Sequence, residues 1–170
     1  ASLDSFRMWW KGRGIPLARI GLTALLAEAA VDLPEELVQR NLGLSLSDQY
    51  WILPQSSGLK WEDINFFNNS FEDVSLTIAP FAPEGKATAA KPDNTSDGNL
   101  QKYWTCEGAR RVLHKAGAHL NQEPYNELVA TALHRRVLDA KDYVPYSLEG
   151  KGTSALSACD VFLTDEEEYV

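Results

Sequence analysis

The sequence is poor in cysteine and histidine, and this scarcity excludes several kinds of site. The two cysteines, Cys106 and Cys159, lie far apart and match no metal-binding spacing. We therefore expect two reduced thiols, as in a cytoplasmic protein, rather than a disulfide. The three histidines are expected to be strand or surface residues, because no acid or cysteine completes a catalytic or metal site around them.

Basic residues are also few. The 16 Lys and Arg residues against 24 Asp and Glu residues give a formal net charge of −8. A chain of this charge lacks the basic face that binds nucleic-acid phosphates, so nucleic acid is an unexpected partner. The alternative would require Arg7, Lys11, Arg13 and Arg19, near the N-terminus, to share one face.

Long hydrophobic runs are absent. No apolar run reaches the ~18 residues of a membrane span, and no signal peptide opens the sequence. These absences predict a soluble, cytoplasmic protein without a membrane partner. The 170 residues are 44% hydrophobic, which is enough for one core or two small ones.

Residues 1–45 predict a helical N-terminal segment. The stretch PLARIGLTALLAEAAV is typical of a helix with Pro16 in its first turn. Its apolar face comprises Ile20, Leu22, Leu25, Leu26 and Ala29. The stretch LPEELVQRNLG predicts a second short helix that begins near Pro34 and stops at Gly43.

Residues 46–90 predict an aromatic-rich connecting segment. Aromatic side chains such as Trp61 and Phe67 alternate with Asp and Asn, which favours packing between subdomains over stacking on a ligand. From Ala79 to Gly98 the chain has little to bury, and we expect a long loop or linker there.

Residues 91–170 predict an α+β unit: a hairpin, a helix and two strands, forming a small antiparallel sheet with one packed helix. LQKYWTCEGARRVLHKAG indicates the hairpin, with its turn at Glu107-Gly108. QEPYNELVATALHRRVL indicates the helix, and YVPYSL and ALSACDVFL the strands. The apolar stripe of the helix comprises Tyr125, Leu128, Val129, Ala132 and Leu133.

Lys115 is an unusual residue for a half-buried strand, because its ammonium needs a partner. Glu127, early in the following helix, is the expected carboxylate. A strand lysine followed by a helix glutamate is also the order found in the small lobe of a protein kinase. There the lysine grips nucleotide phosphates and the glutamate holds the lysine in place.

The stretch from Gln122 to Leu148, followed by ALSACDVF, resembles the HipA-like serine/threonine kinases. Their small lobe carries a strand lysine, an Asn-Glu pair opening a helix, and an acid-x-aromatic step at the hinge. The matching residues are Lys115, Asn126-Glu127 and Asp160-Val161-Phe162. Upstream segments such as WWKGRGIPLARIGL and GLKWEDINFF are similar to a branch of that family found in bacterial and phage-related genomes.

This resemblance implies a kinase-like small lobe over residues 91–170 that ends just past the hinge. The phosphate-covering loop would include Ser96, Asp97 and Gly98, and Asp160 and Phe162 would lie where the backbone meets adenine. The implied cofactors are ATP and Mg²⁺, but the magnesium ligands and the catalytic aspartate of such kinases follow the hinge, and no catalytic-loop sequence occurs in the 170 residues. The chain is therefore expected to bind nucleotide, without catalysis of its own, as the N-terminal portion of a kinase whose large lobe is supplied elsewhere.

The alternative hypothesis is a non-catalytic protein-interaction module with a kinase-lobe-like fold. Such a module would bind a protein partner through its aromatic-rich middle. It predicts an exposed apolar patch around Trp51, Trp61 and Phe67, and no cleft at Lys115.

Overall fold

In a computed structural model of the protein, the helical pattern of the N-terminal segment corresponds to three helices: α1 (Leu3–Arg13), α2 (Leu22–Ala29) and α3 (Pro34–Arg40). The structure describes residues 2–53, 55, 57–71, 75–76, 88–89 and 91–168. Within these residues, no helix has both the length and the apolar character needed to cross a bilayer.

The ends of these helices follow local chemistry. Glu36 begins α3 by accepting hydrogen bonds from the N–H groups of Asp32 and Leu33. The predicted stop is confirmed, since Gly43 follows α3 with a φ of 71° that glycine adopts without strain. The predicted start of α2 near Pro16 is wrong, because the chain turns before Leu22 and Gly21 is left-handed with a φ of 83°.

Residues 1–99 and 163–170 form the first compact unit of the chain. Its core includes Ile15, Leu22, Val31 and Leu37 from the helical segment. The short helix α4 (Trp61–Ile64) belongs to the same unit. The aromatic-rich segment contributes the buried residues Ile64, Phe66 and Phe67 to this unit.

The aromatic residues near α4 pack against one another. The ring of Trp61 lies 6.3 Å from that of Trp51 and 6.4 Å from that of Phe67. Phe67 is buried, and the two tryptophans are half-buried. The apolar patch predicted around these three residues is therefore only partly exposed, because their rings pack against one another.

The long loop predicted from Ala79 to Gly98 lies in part outside the described residues, which omit 77–87 and 90. Two short strands, β1 (Ser75–Leu76) and β2 (Thr88–Ala89), pair antiparallel. A 3-10 helix, Pro92–Thr95, follows. The predicted loop thus contains some regular backbone where it is described.

The second compact unit, Leu100–Phe162, contains a four-stranded antiparallel sheet and one helix. Its elements are β3 (Lys102–Glu107), β4 (Arg110–Lys115), α5 (Glu123–Val137), β5 (Ser147–Glu149) and β6 (Leu156–Asp160). The strands lie in the order β3-β4-β6-β5. The predicted hairpin, helix and two strands are confirmed, and the described chain is a mixed fold of helices and an antiparallel sheet.

The apolar stripe of α5 is turned away from the sheet. Pro124 and Thr131 are buried, whereas Val129 and Leu133 of the apolar stripe are each 58% exposed. Polar contacts made by Glu127 and Thr131 hold the opposite side of the helix toward the strands.

Candidate functional site

Lys115 lies at the end of β4, a central strand of the sheet, and its ammonium contacts α5. The Lys115 Nζ atom is 2.6 Å from the Glu127 Oε1 atom. The two side chains are 17% and 34% exposed, so the ion pair is partly shielded from water. The predicted pairing of Lys115 with Glu127 is confirmed.

The connection between β4 and α5 is fixed by Asn121, a buried residue that the sequence pattern did not single out. Its side chain accepts a hydrogen bond from the Gly117 N–H group and donates to the carbonyl oxygens of Gly152 and Ala155. A Cβ atom at Gly117 would lie 2.5 Å from the Asn121 Oδ1 atom, so the close approach requires glycine. These contacts set where α5 begins, and hence where Glu127 lies.

Tyr146, just before β5, is a second partner of Lys115 that sequence reasoning missed. Lys115 Nζ donates to the Tyr146 hydroxyl oxygen at 2.8 Å and lies 4.3 Å from the centre of its ring. The Tyr146 N–H group donates to Thr131 Oγ1 at 2.9 Å, which ties this tyrosine to α5. Because the position of Tyr146 depends on a contact between distant segments, no local pattern could have revealed it.

The electrostatics of the cluster keep Lys115 charged. Burial lowers the pKa of Lys115, but hydrogen bonds to Glu127 and Tyr146 outweigh it, so the pKa is raised above its ordinary value. Burial raises the pKa of Tyr146 to about 12, against the opposing effect of the nearby ammonium. Burial also raises the pKa of the Cys159 thiol, which contacts Tyr146. At pH 7 Lys115 is therefore a cation, and Tyr146 and Cys159 are neutral.

The Lys115 ammonium retains the capacity to bind an anion. An ammonium has three N–H donors, and two of them are directed at Glu127 and Tyr146. Within the part of the chain that the structure describes, no third hydrogen bond from this ammonium is present. An oxyanion such as a phosphate oxygen could accept from the remaining donor.

Ser96, Asp97 and Gly98 lie in the first unit, where Arg19 contacts their loop. Arg19 is buried and donates to the Gly98 carbonyl oxygen at 2.8 Å and to the Ser96 carbonyl oxygen. The Ser96 hydroxyl donates to the Asp93 carbonyl oxygen at 3.1 Å, and the Gly98 N–H group donates to Asp97 Oδ1 at 2.6 Å. The groups predicted to face a phosphate thus have partners within their own unit, and their role as a phosphate-covering loop stays a prediction.

Asp160 is the last residue of β6, and Phe162 lies two residues beyond it. Asp160 Oδ1 is 2.8 Å from Arg110 Nε in an exposed ion pair. The intervening Val161 N–H group donates to the Arg111 carbonyl oxygen at 2.8 Å, and the Phe162 side chain is 56% exposed. The hinge role of this step stays a prediction.

His114 belongs to a separate polar cluster, because it precedes Lys115 in β4 and so lies on the opposite face of the sheet. Its Nδ1 atom is 2.9 Å from Glu149 Oε2, and its Nε2 atom is 2.9 Å from Thr105 Oγ1. His114 is a strand residue, as predicted, and the acid Glu149 lies beside it. One acid and one histidine do not make a metal site, and the described residues contain no group of three or more potential metal ligands.

Two of the four basic residues near the N-terminus are buried. Arg13 donates to Asp48 Oδ1 at 2.7 Å and to the Gly43 carbonyl oxygen at 2.6 Å, and Arg19 is held by the loop described above. Arg7 and Lys11 are exposed. The four residues therefore do not form the exposed basic face that nucleic-acid binding would require.

No protein-family model, curated protein or solved structure matches this chain. The resemblance to HipA-like kinases therefore stays a prediction that rests on the motifs of the sequence.

Proposed function

We propose that this chain contributes the adenine- and phosphate-binding half of an ATP site in a HipA-like protein kinase. The observation that carries the proposal is the ion pair between Lys115 Nζ at the end of β4 and Glu127 Oε1 in α5, at 2.6 Å. The order of elements also supports it: a hairpin ending in a lysine, a helix supplying the acid, and two further strands.

The pair meets the physical requirements of a phosphate-binding lysine. A lysine side chain is flexible, so a phosphate contact is specific only if the ammonium is held in one place. Glu127 and Tyr146 hold it from two directions. The remaining N–H donor could then contact a phosphate oxygen without reorganisation of the side chain.

The residues fit the nucleotide better than they fit the metal. Lys115 would contact a phosphate, and the backbone of residues 160–162 would meet the adenine edge. Bound Mg²⁺ would neutralise charge on the phosphates, with ligands from the large lobe of such a kinase. The residues of this chain would accordingly bind and orient the nucleotide and would transfer no phosphoryl group.

The test is a titration of the whole chain with ATP, with and without Mg²⁺, in which amide chemical shifts report binding. We compare wild type with Lys115→Ala and with the matched control Lys141→Ala, because Lys141 is exposed outside the sheet and α5. We expect weak binding by wild type, with a Kd on the order of 1 mM. The Lys115→Ala variant should bind about tenfold more weakly, and Lys141→Ala should bind like wild type.

Two outcomes would contradict the proposal. The first is the absence of shift changes in wild type at about 10 mM ATP, since a Kd near 1 mM would give almost complete binding. The second is equal affinity of the two lysine variants. Circular dichroism of each variant would show whether a loss of binding arises from unfolding.

A further inference from the structure

The outward face of α5 is apolar over more than two turns of the helix. Five residues on this face are exposed: Tyr125, Leu128, Val129, Ala132 and Leu133. Their spacing of three and four residues places them on one side of the helix. The buried side of the same helix carries Pro124 and Thr131.

This arrangement reverses the usual amphipathic pattern, in which the apolar side of a helix is buried. The inward side is held by polar contacts, from Glu127 to Lys115 and from Thr131 to the Tyr146 N–H group. α5 cannot turn its apolar side inward without breaking both contacts. A contiguous exposed apolar surface of this kind is typical of a site that binds another protein.

The C-terminal end of this face is basic, although the chain as a whole is acidic. Residues 130–137 contain His134, Arg135 and Arg136 and no acid, in a chain whose net charge is −8. Arg135 follows Leu128 by seven residues and Arg136 follows Val129 by seven, so each lies on the same side of the helix as its apolar counterpart. Both arginines are exposed. The apolar face therefore continues directly into a basic one.

We propose that the outward face of α5 is a docking surface for an acidic amphipathic helix of another protein. The apolar residues of that helix would pack across Val129 and Leu133, and its carboxylates would pair with Arg135 and Arg136. Because Glu127 lies on the other side of α5, this surface is separate from the Lys115 site and does not depend on nucleotide binding.

The experiment uses two synthetic helical peptides as probes. They share one pattern of leucines at three- and four-residue spacing, and their polar positions are glutamate in one peptide and lysine in the other. The whole chain is isotopically labelled and titrated with each peptide, and its amide chemical shifts report binding. We expect the glutamate peptide to shift resonances of residues 125–137, and the lysine peptide to bind at least about tenfold more weakly.

Two variants separate the charge contribution from the apolar one. Arg135→Glu combined with Arg136→Glu should reverse the preference, so that the lysine peptide binds more tightly. Leu133→Glu should abolish binding of both peptides, whereas Leu120→Glu, an equally drastic change at an exposed leucine outside α5, should leave binding unchanged. Each substituted residue is exposed, so the variants are expected to fold.

Several results would overturn the proposal. The first is that the glutamate peptide does not bind. The second is equal affinity for the two peptides, and the third is that the chemical-shift changes lie outside α5. Sedimentation of wild type and Leu133→Glu tests a second copy of this chain as the occupant. A wild-type dimer that becomes monomeric in the variant would show that the face is covered by self-association rather than by an acidic partner.

Discussion

The charged side chain of Lys115 is only 17% exposed, so its neighbours must offset the cost of removing the ammonium from water. Glu127 supplies a full opposite charge, and Tyr146 supplies an oxygen acceptor and an aromatic ring. Removing one partner leaves the ammonium desolvated without full compensation, which costs more than the pair contributes net.

At this scale we first predict the effect of Glu127→Gln. The amide carries no charge to oppose the ammonium, so the free energy of unfolding should fall by about 1–3 kcal/mol, less than for a fully buried pair. Urea denaturation measures the change. A double-mutant cycle with Lys115→Met should show coupling, because the double variant leaves no unpaired charge. Strict additivity of the two single variants would contradict the ion pair.

A second residue-scale prediction concerns pH. The folded state raises the pKa of Tyr146 to about 12, and raises that of Lys115, so the phenol and the ammonium both contribute stability that is present below their ordinary pKa values. That stability is lost as pH rises through the folded-state pKa values. The free energy of unfolding of wild type should therefore fall above about pH 10. In the Tyr146→Phe variant it should fall less, because the variant lacks this phenol.

The measurement for this prediction is tyrosinate absorbance, recorded for wild type and for Tyr146→Phe. The difference between the two titrations should contain one phenol that ionises near 12, as opposed to the ordinary value of 10.0. A difference curve centred on the ordinary value would show that Tyr146 is exposed to water. The result does not depend on any nucleotide.

At the scale of elements, α5 shows that a helix can be positioned by its polar residues. Thr131 is buried, and its hydroxyl oxygen accepts a hydrogen bond from the Tyr146 N–H group at 2.9 Å. This contact joins α5 to the start of β5 and brings the Tyr146 side chain to Lys115. One hydroxyl thus links the position of the helix to the geometry of the candidate site.

We therefore predict that Thr131→Val destabilises the fold by about 1–2 kcal/mol, because the Tyr146 N–H group loses its acceptor. The matched control is Thr131→Ser, which keeps the hydroxyl and should lose much less. Amide hydrogen exchange at Tyr146 should accelerate in the valine variant and not in the serine variant. Equal exchange rates in the two variants would show that the hydrogen bond does not hold this segment.

The elements of the second unit were predictable because their signals are local. The hairpin is encoded by a strand pattern on each side of Gly108, which is left-handed with a φ of 60°. α5 is encoded by helical spacing and by Pro124 in its first turn. The rotation of α5 was not predictable, because periodicity identifies an apolar side but does not reveal whether polar contacts turn that side outward.

At the scale of the whole molecule, the chain forms two compact units, and the buried Arg13 organises the first of them. In the first unit, Arg13 is buried and donates hydrogen bonds to Asp48 and to the carbonyl oxygens of Gly43 and Tyr50. Its guanidinium also lies 4.9 Å from the centre of a Trp9 ring. All of these partners belong to residues 1–99, so Arg13 organises that unit alone.

We predict that Arg13→Met destabilises the first unit by about 3 kcal/mol, because Asp48 is left largely buried without its counter-charge. Amide hydrogen exchange should show the loss of protection in residues 2–71 and none in the strands of residues 102–115. The control is Arg7→Met, whose exposed pair with Asp4 should contribute about 0.5 kcal/mol or less. Equal loss of protection in both units would show that they unfold as one.

The sequence by itself determined the composition-level properties, the hairpin, the extent of α5 and the pairing of Lys115 with Glu127, because each depends on local spacing or on the order of neighbouring elements. Tertiary structure alone decided that Tyr146 is the second partner of Lys115, that Arg13 and Arg19 are buried, and that the apolar side of α5 faces outward. The physical reason is the same in each case. A buried polar group must find a hydrogen-bond partner, and these partners lie far away in the chain.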